Sequence, residues 1–404
     1  MSRADAGAAR HSTVLAELAA VFLAFLKLGC TSFGGPIAHL GYLRAEFVER
    51  RKWLDDAAYT DLVALCQFLP GPASSQVGIG LGAMRAGVPG ALAAWLGFTL
   101  PSAALMVLAG YGLHVLHIST AAGWVHGLKL AAVAVVAQAV WGMGRQLCPD
   151  RARATIAVCA ALLALSWSSA LAQILAIAAG GVIGWRLLPR GIVAAGEHAE
   201  FGIGRRLSWV SLALFFALLG VLPVLARAGA GQAISVFDSF YRAGSLVFGG
   251  GHVVLPLLRA EVVPRWSDDS AFLAGYGLAQ ALPGPLFTFA AYLGTAMRGA
   301  PAGLAGGLLA LCAIFLPAFL LVFAALPHWN ALRRMAGVRA ALNGVNAAVV
   351  GILLAALYDP IFTTAVHAPT DFALALAGFA LLTFWKLPPL WVVVLAALGG
   401  AVIG

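Results

Sequence analysis

Displaced by 215 positions, the chain falls on itself: Phe25, Lys27, Gly29, Phe33, Gly34, Gly35 and Glu46 meet Phe240, Arg242, Gly244, Phe248, Gly249, Gly250 and Glu261. Two residues then drop out, and at 213 Asp55, Asp56 and Gln67 meet Asp268, Asp269 and Gln280, while Leu69-Pro70-Gly71-Pro72 meets Leu282-Pro283-Gly284-Pro285. Matches at Gly, Pro and charged positions in fixed order say far more than a shared richness in Ala and Leu, and they mark a duplication. The chain therefore divides into an N-terminal segment, 1–13, read as cytoplasmic, a first copy, 14–188, a polar linker, 189–207, and a second copy, 208–404.

Apolar runs recur from Val14 to Ile403, many near the roughly 20 helical residues that cross a hydrocarbon core of about 30 Å. Only 10% of residues are charged, too few to clothe a water-soluble surface of this size. A bilayer leaves helices and closed barrels as the spanning structures, and the absence of period-two alternation removes the barrel. The expected fold is an all-α integral membrane protein of about ten to thirteen full or partial passes. A formal charge of +9 points here to topology and not to nucleic acid, because the basic residues lie in short loops between apolar runs. The five cysteines form no C-x-x-C pair, and neither metal nor cofactor is expected.

Each copy is interrupted twice within apolar surroundings, at Gly34-Gly35-Pro36 and Pro70-Gly71-Pro72, then at Gly249-Gly250-Gly251 and Pro283-Gly284-Pro285. Such clusters break helices. Matched breaks in two repeats mark a transporter's substrate site. If each break turns a helix back to the side it left, Arg44, Arg50, Arg51, Lys52 and Arg85 share one face, and the crossing 208–225 delivers the second copy inverted, with Arg259, Arg265 and Arg298 on the other. The positive-inside rule makes the first face cytoplasmic.

Lys27 and Arg242 are matched cations ahead of the glycine breaks, and Lys27 lacks an acid one turn earlier where Arg242 has Asp238. An uncompensated cation there suits an anion. Helix starts after each PGP would add N–H groups, joined by Ser74, Ser75 and Gln76 in one copy and Thr288 in the other. Gln67 and Gln280 can donate without changing charge. Lys129 is a weaker anchor, with no counterpart. His39 and His252, or the matched Glu46 and Glu261, could carry protons, although basic neighbours suit the two glutamates to interfacial ion pairs. These groups suit a tetrahedral oxyanion and do not separate one such anion from another of the same charge and shape. Neither H-E-x-x-H nor G-x-S-x-G is present, so an intramembrane enzyme is disfavoured against a transporter or a passive anion channel.

The runs Lys27-Leu28-Gly29, Ser32-Phe33-Gly34-Gly35-Pro36 and Gln67-Phe68-Leu69-Pro70-Gly71-Pro72, with their second copies, resemble the chromate ion transporter family in its long, two-domain form. The resemblance implies export of chromate across a bacterial inner (plasma) membrane, giving chromate resistance, driven by an ion gradient with protons as an expected coupling ion. It also implies roles for Lys27, Arg44, Arg242 and the GG and PGP breaks. Gly251 departs from the pattern where the first copy has Pro36, so the two sites need not be equivalent. A homodimer is left open.

Overall fold

In the computed structural model, residues 3–115, 122–167, 169–189, 203–248, 251–299, 301–329 and 335–403 are described. Most are helical, and no strand occurs among them. The first copy runs through α1 (Arg3–Thr31), α2 (Gly35–Arg44), α3 (Asp56–Phe68), α4 (Ala73–Val115), α5 (Gly123–Leu147), α6 (Arg151–Ser166) and α7 (Ala170–Leu187). After α8 (Arg205–Arg227), the second copy comprises α9 (Gln232–Ser245), α10 (Val254–Val262), α11 (Asp269–Ala281), α12 (Phe289–Ala296), α13 (Gly303–Ala325), α14 (Ala336–Ala356), α15 (Pro369–Thr383) and α16 (Pro389–Ile403). Most of the linker lies outside the described residues.

The repeat in sequence is a repeat in structure. Asp55 accepts a hydrogen bond from the Ala58 amide (2.7 Å), and Asp268 accepts one from Ala271 (2.8 Å), capping α3 and α11 alike. The neighbouring acids bind matched arginines, Arg44 to Asp56 at 2.6 Å and Arg259 to Asp269 at 2.6 Å. Gly29 meets the Gly97 and Phe98 carbonyls, and its counterpart Gly244 meets Ile314 in the same manner, so α1 packs on α4 as α9 packs on α13.

As a straight rod, α4 would far exceed a bilayer, but non-helical angles at Ala86 and Gly87 fold it back on itself. Gly82 then lies against Gly90, which makes 73–85 the return arm of a hairpin with α3 and leaves 88–115 as the crossing. In the second copy, Gly294 lies against Gly306 where α12 turns into α13.

The crossing arm also reveals the relative orientation of the copies. Arg85 sits just before it and reaches Glu17 on α1 (3.6 Å). Arg298, matched to Arg85, sits near the other end, where the Leu304 amide donates to the Tyr111 hydroxyl (2.7 Å) and Gly110 faces Thr295. Val88 and Gly110 are separated by about 33 Å of helix, so the matched loops stand on opposite membrane faces and the second copy is inverted.

Among the described residues, five helices are long and apolar enough to span, α5, α8 and α13 among them. The copies are interlocked: α5 packs against α16 through Gly123, Gly127 and Gly400, and α7 against α14 through Gly180, Gly184 and Gly344, where small residues let backbones touch. By contrast α8 presents Trp209, Leu214, Phe216, Val221 and Val224 outward to lipid.

Candidate functional site

The four breaks converge. The Gly71 amide of the first PGP donates to the Val247 carbonyl beside the second glycine break (2.7 Å), and the Gly284 amide of the second PGP donates to the Ser32 carbonyl beside the first (2.8 Å). Gly71 matches Gly284, and Ser32 matches Val247, so the two bonds are one contact made twice about a local two-fold axis. On that axis a residue must meet its own counterpart, and Pro36 indeed faces Gly251, whose Cβ, if added, would stand 3.2 Å from the proline ring.

This crossing lies at mid-depth. Gly284 touches Phe98 and Ser102, which lie some 15–21 Å along the crossing arm from Val88. α1 therefore ends inside the membrane and does not traverse it. Irregular backbone is tolerated at such depth because the other copy supplies its hydrogen bonds. Both central glycines are obligatory by conformation, with φ of 127° at Gly71 and 97° at Gly284. A side chain would also meet Gln76 in one case and Ser102 in the other, each at 2.8 Å.

Around the first glycine break, Gly34 (φ 95°) and Gly35 (φ 76°) reverse the chain into α2, with Pro36 in its first turn. Buried His39 donates from Nε2 to the Ser32 carbonyl (3.1 Å), and its Nδ1 meets the Ser74 hydroxyl at 3.4 Å. The amide of Gln76 donates to the Pro70 carbonyl (2.8 Å), and its backbone N–H to that of Pro72 (2.9 Å). In the second copy, His252 Nδ1 and the Tyr276 hydroxyl share a bond of 2.8 Å. Gly249 and Gly250 lie outside the described residues.

Four polar atoms here are buried without a protein partner: Ser32 Oγ, Ser75 Oγ, Gln76 Oε1 and Thr99 Oγ1. Each would ordinarily cost about 1–3 kcal/mol. They lie in the elements that flank the breaks. Ser32, Thr99 and Tyr276 were not singled out from the sequence; a hydroxyl in an apolar helix was the available signal, and it does not say which way the side chain faces.

Several expectations need correction. Lys27 is not uncompensated: the chain reversal at Gly34 brings Glu46 to 3.3 Å. Glu46 also accepts from Arg50 (2.8 Å) and Arg51 (2.7 Å). Gln67 is exposed on α3, and Gln76 is the buried amide at the first PGP. Pro285 does not open an α-helix directly, because a 3-10 turn, Leu286–Thr288, intervenes and Thr288 donates its hydroxyl to the Pro285 carbonyl (2.8 Å). Lys129 donates to Ser270 (3.0 Å), away from the breaks.

The matched ion pairs differ in charge. Arg242 binds Glu261 through two bonds (2.6 and 2.8 Å) and also Asp238 (2.9 Å), one cation to two acids. The first copy has three cations to one acid. Burial alone would raise the Glu46 carboxyl, but hydrogen bonds from Arg51, Arg50 and Lys27 outweigh it and lower the pKa to about 2, so this group, in the π-helical turn Ala45–Arg50 outside the spanning helices, is held ionised at neutral pH.

Comparison with known proteins agrees with the duplication. The family model described as chromate transporter matches residues 19–185 and again 234–401. A chromate transport protein of Pseudomonas aeruginosa is 31% identical over 393 residues, covering 94% of this chain and 90% of its own. Another, from Cupriavidus metallidurans, is 27% identical over 97% of this chain and 94% of its own. The uncharacterized transporter YwrA of Bacillus subtilis is 30% identical over 42% of this chain but 96% of its own, the length of a single copy. No solved structure matches. Matched in both copies, and along nearly its whole length to a named relative, the chain belongs to the chromate transporter family.

Proposed function

We propose that this protein is a secondary transporter that exports chromate across the bacterial plasma membrane, its inverted copies giving alternating access to the crossing of the four breaks. One observation carries the reading: a two-fold pair of backbone bonds at mid-depth, surrounded by buried polar atoms that lack partners. Two copies related by such an axis can exchange inward- and outward-open forms by repeating one movement on opposite faces. Hydroxyl, amide and imidazole groups at the crossing suit an oxyanion, and the relatives that are chromate transport proteins favour chromate over sulfate.

The more basic first-copy loops face the cytoplasm in this reading. An ion gradient drives the cycle, since no P-loop sequence is present. Protons are the coupling ion we assign, and not through Glu46, whose carboxyl is held well below the usual range by hydrogen bonds from Arg51, Arg50 and Lys27.

The test is uptake of radiolabelled chromate into everted vesicles, with sulfate, molybdate and phosphate as competitors. Chromate uptake that stops when the proton gradient and potential are collapsed is the expected result. Uptake indifferent to that collapse would mean a channel, and sulfate flux without chromate flux would overturn the choice of substrate.

A further inference from the structure

The outer end of α9 opens into a cavity of about 570 Å³ lined by Gln232, Ser235, Arg265, Trp266 and Arg298. Arg265 is exposed and stacked over Trp266 (4.5 Å), with no carboxylate in ion-pair reach among the described residues. Arg298 binds Asp268 at 2.9 Å. The cavity is thus net basic.

The matched mouth of the first copy is built otherwise. Gln232 corresponds to Glu17, whose carboxylate faces Arg85, and Arg85 and Arg51 both stack on Trp53 (5.7 Å each). Replacing that acid by an amide removes the carboxylate that faces Arg85 in the first mouth. The helices behind the mouths differ in the same sense. Ser235, Ser239 and Arg242 descend one face of α9, both serines buried, where the first copy has Ala20, Ala24 and Lys27. From Gln232 to Ser245 this polar stripe runs about 20 Å, from the cavity to the edge of the second glycine break.

We propose that this cavity is a binding site for tetrahedral oxyanions on the second-copy face, with Arg265 as its anion-selecting residue. The proposal rests on the transport reading for its cargo but concerns a different site. A basic concavity with low-dielectric walls concentrates anions ahead of their passage. The first copy has Lys52 at the position of Arg265, but there Glu17 stands in place of Gln232 and pairs with Arg85, so the two mouths differ by one acid.

The experiment uses the full chain, its five cysteines replaced by Ala, in liposomes of zwitterionic lipid, with Arg265→Cys as the variant and chromate as the probe. At ionic strength of about 0.01 M, half-saturation for flux starting from the second-copy face should rise roughly tenfold, with maximal rate and opposite-face half-saturation unchanged. A trimethylammonium thiosulfonate reagent restores the charge and should restore half-saturation; a sulfonate reagent should not. The difference should shrink in about 1 M salt. Unchanged half-saturation, or equal recovery with both reagents, overturns the proposal. So does an effect that appears only when anionic lipid is added, since the occupant would then be a headgroup phosphate. If the unmodified chain carries no oxyanion, the transport reading falls, and the site is judged by whether sulfate shields a Gln232→Cys thiol from the sulfonate reagent with Arg265 in place. Shielding supports it, and its lack overturns it.

Discussion

Removing the two matched cations should have unequal consequences. Arg242→Ala strips the counter-charge from Asp238 and Glu261, whose side chains are only 4% and 12% exposed, leaving two acids face to face with Ser239 as the one remaining side-chain donor. Breaking a buried pair in this way costs about 3–5 kcal/mol. Lys27→Ala takes one contact of 3.3 Å from Glu46, which keeps Arg50 and Arg51, and Lys27 is itself 55% exposed. Its stability cost should be about 0–1 kcal/mol. The two substitutions thus differ by roughly 3 kcal/mol, more than a hundredfold in equilibrium constant. Thermal unfolding in detergent, followed by fluorescence-detected size exclusion, reads this as a clear loss for Arg242→Ala and almost none for Lys27→Ala. Adding Asp238→Leu, the residue of the first copy, to Arg242→Ala removes one orphaned acid and should recover part of the loss. Equal losses for the two cations, or a double variant weaker than the single, would refute the reasoning.

Two further outcomes are expected. Thiols introduced by Arg85→Cys and Arg298→Cys should react with an impermeant reagent from opposite sides of a sealed vesicle; labelling from the same side would sink the inverted arrangement. Gly71→Ala and Gly284→Ala should each cost about 1–3 kcal/mol in backbone strain and abolish flux, while Gly41→Ala, which has open space and an ordinary backbone, should be neutral in both assays.

The sequence made the repeat legible because Gly, Pro and paired acids obey backbone rules that depend little on surroundings. Asp55 and Asp268 cap helices wherever they fall, and PGP breaks one. Partnerships across a reversal were not legible. Lys27 and Glu46 are 19 residues apart, and only the angles at Gly34 and Gly35 decide that they meet. Which copy supplies each break with hydrogen bonds was equally hidden, since spacing within a copy says nothing of its distance from the other. Gln67 was misjudged for a related reason, because an exposed and a buried amide next to a helix break look alike in one dimension.

Pro36 facing Gly251 has a consequence for the descent of such chains. Two identical polypeptides associating about a two-fold axis must set the same residue on both sides of it, so a proline there meets a proline and a glycine a glycine. A fused chain escapes that rule. It can place a ring on one side and leave room for it on the other, and the first irreversible departure from symmetry can be a single substitution at the point where a matched pair of chains has no freedom to differ.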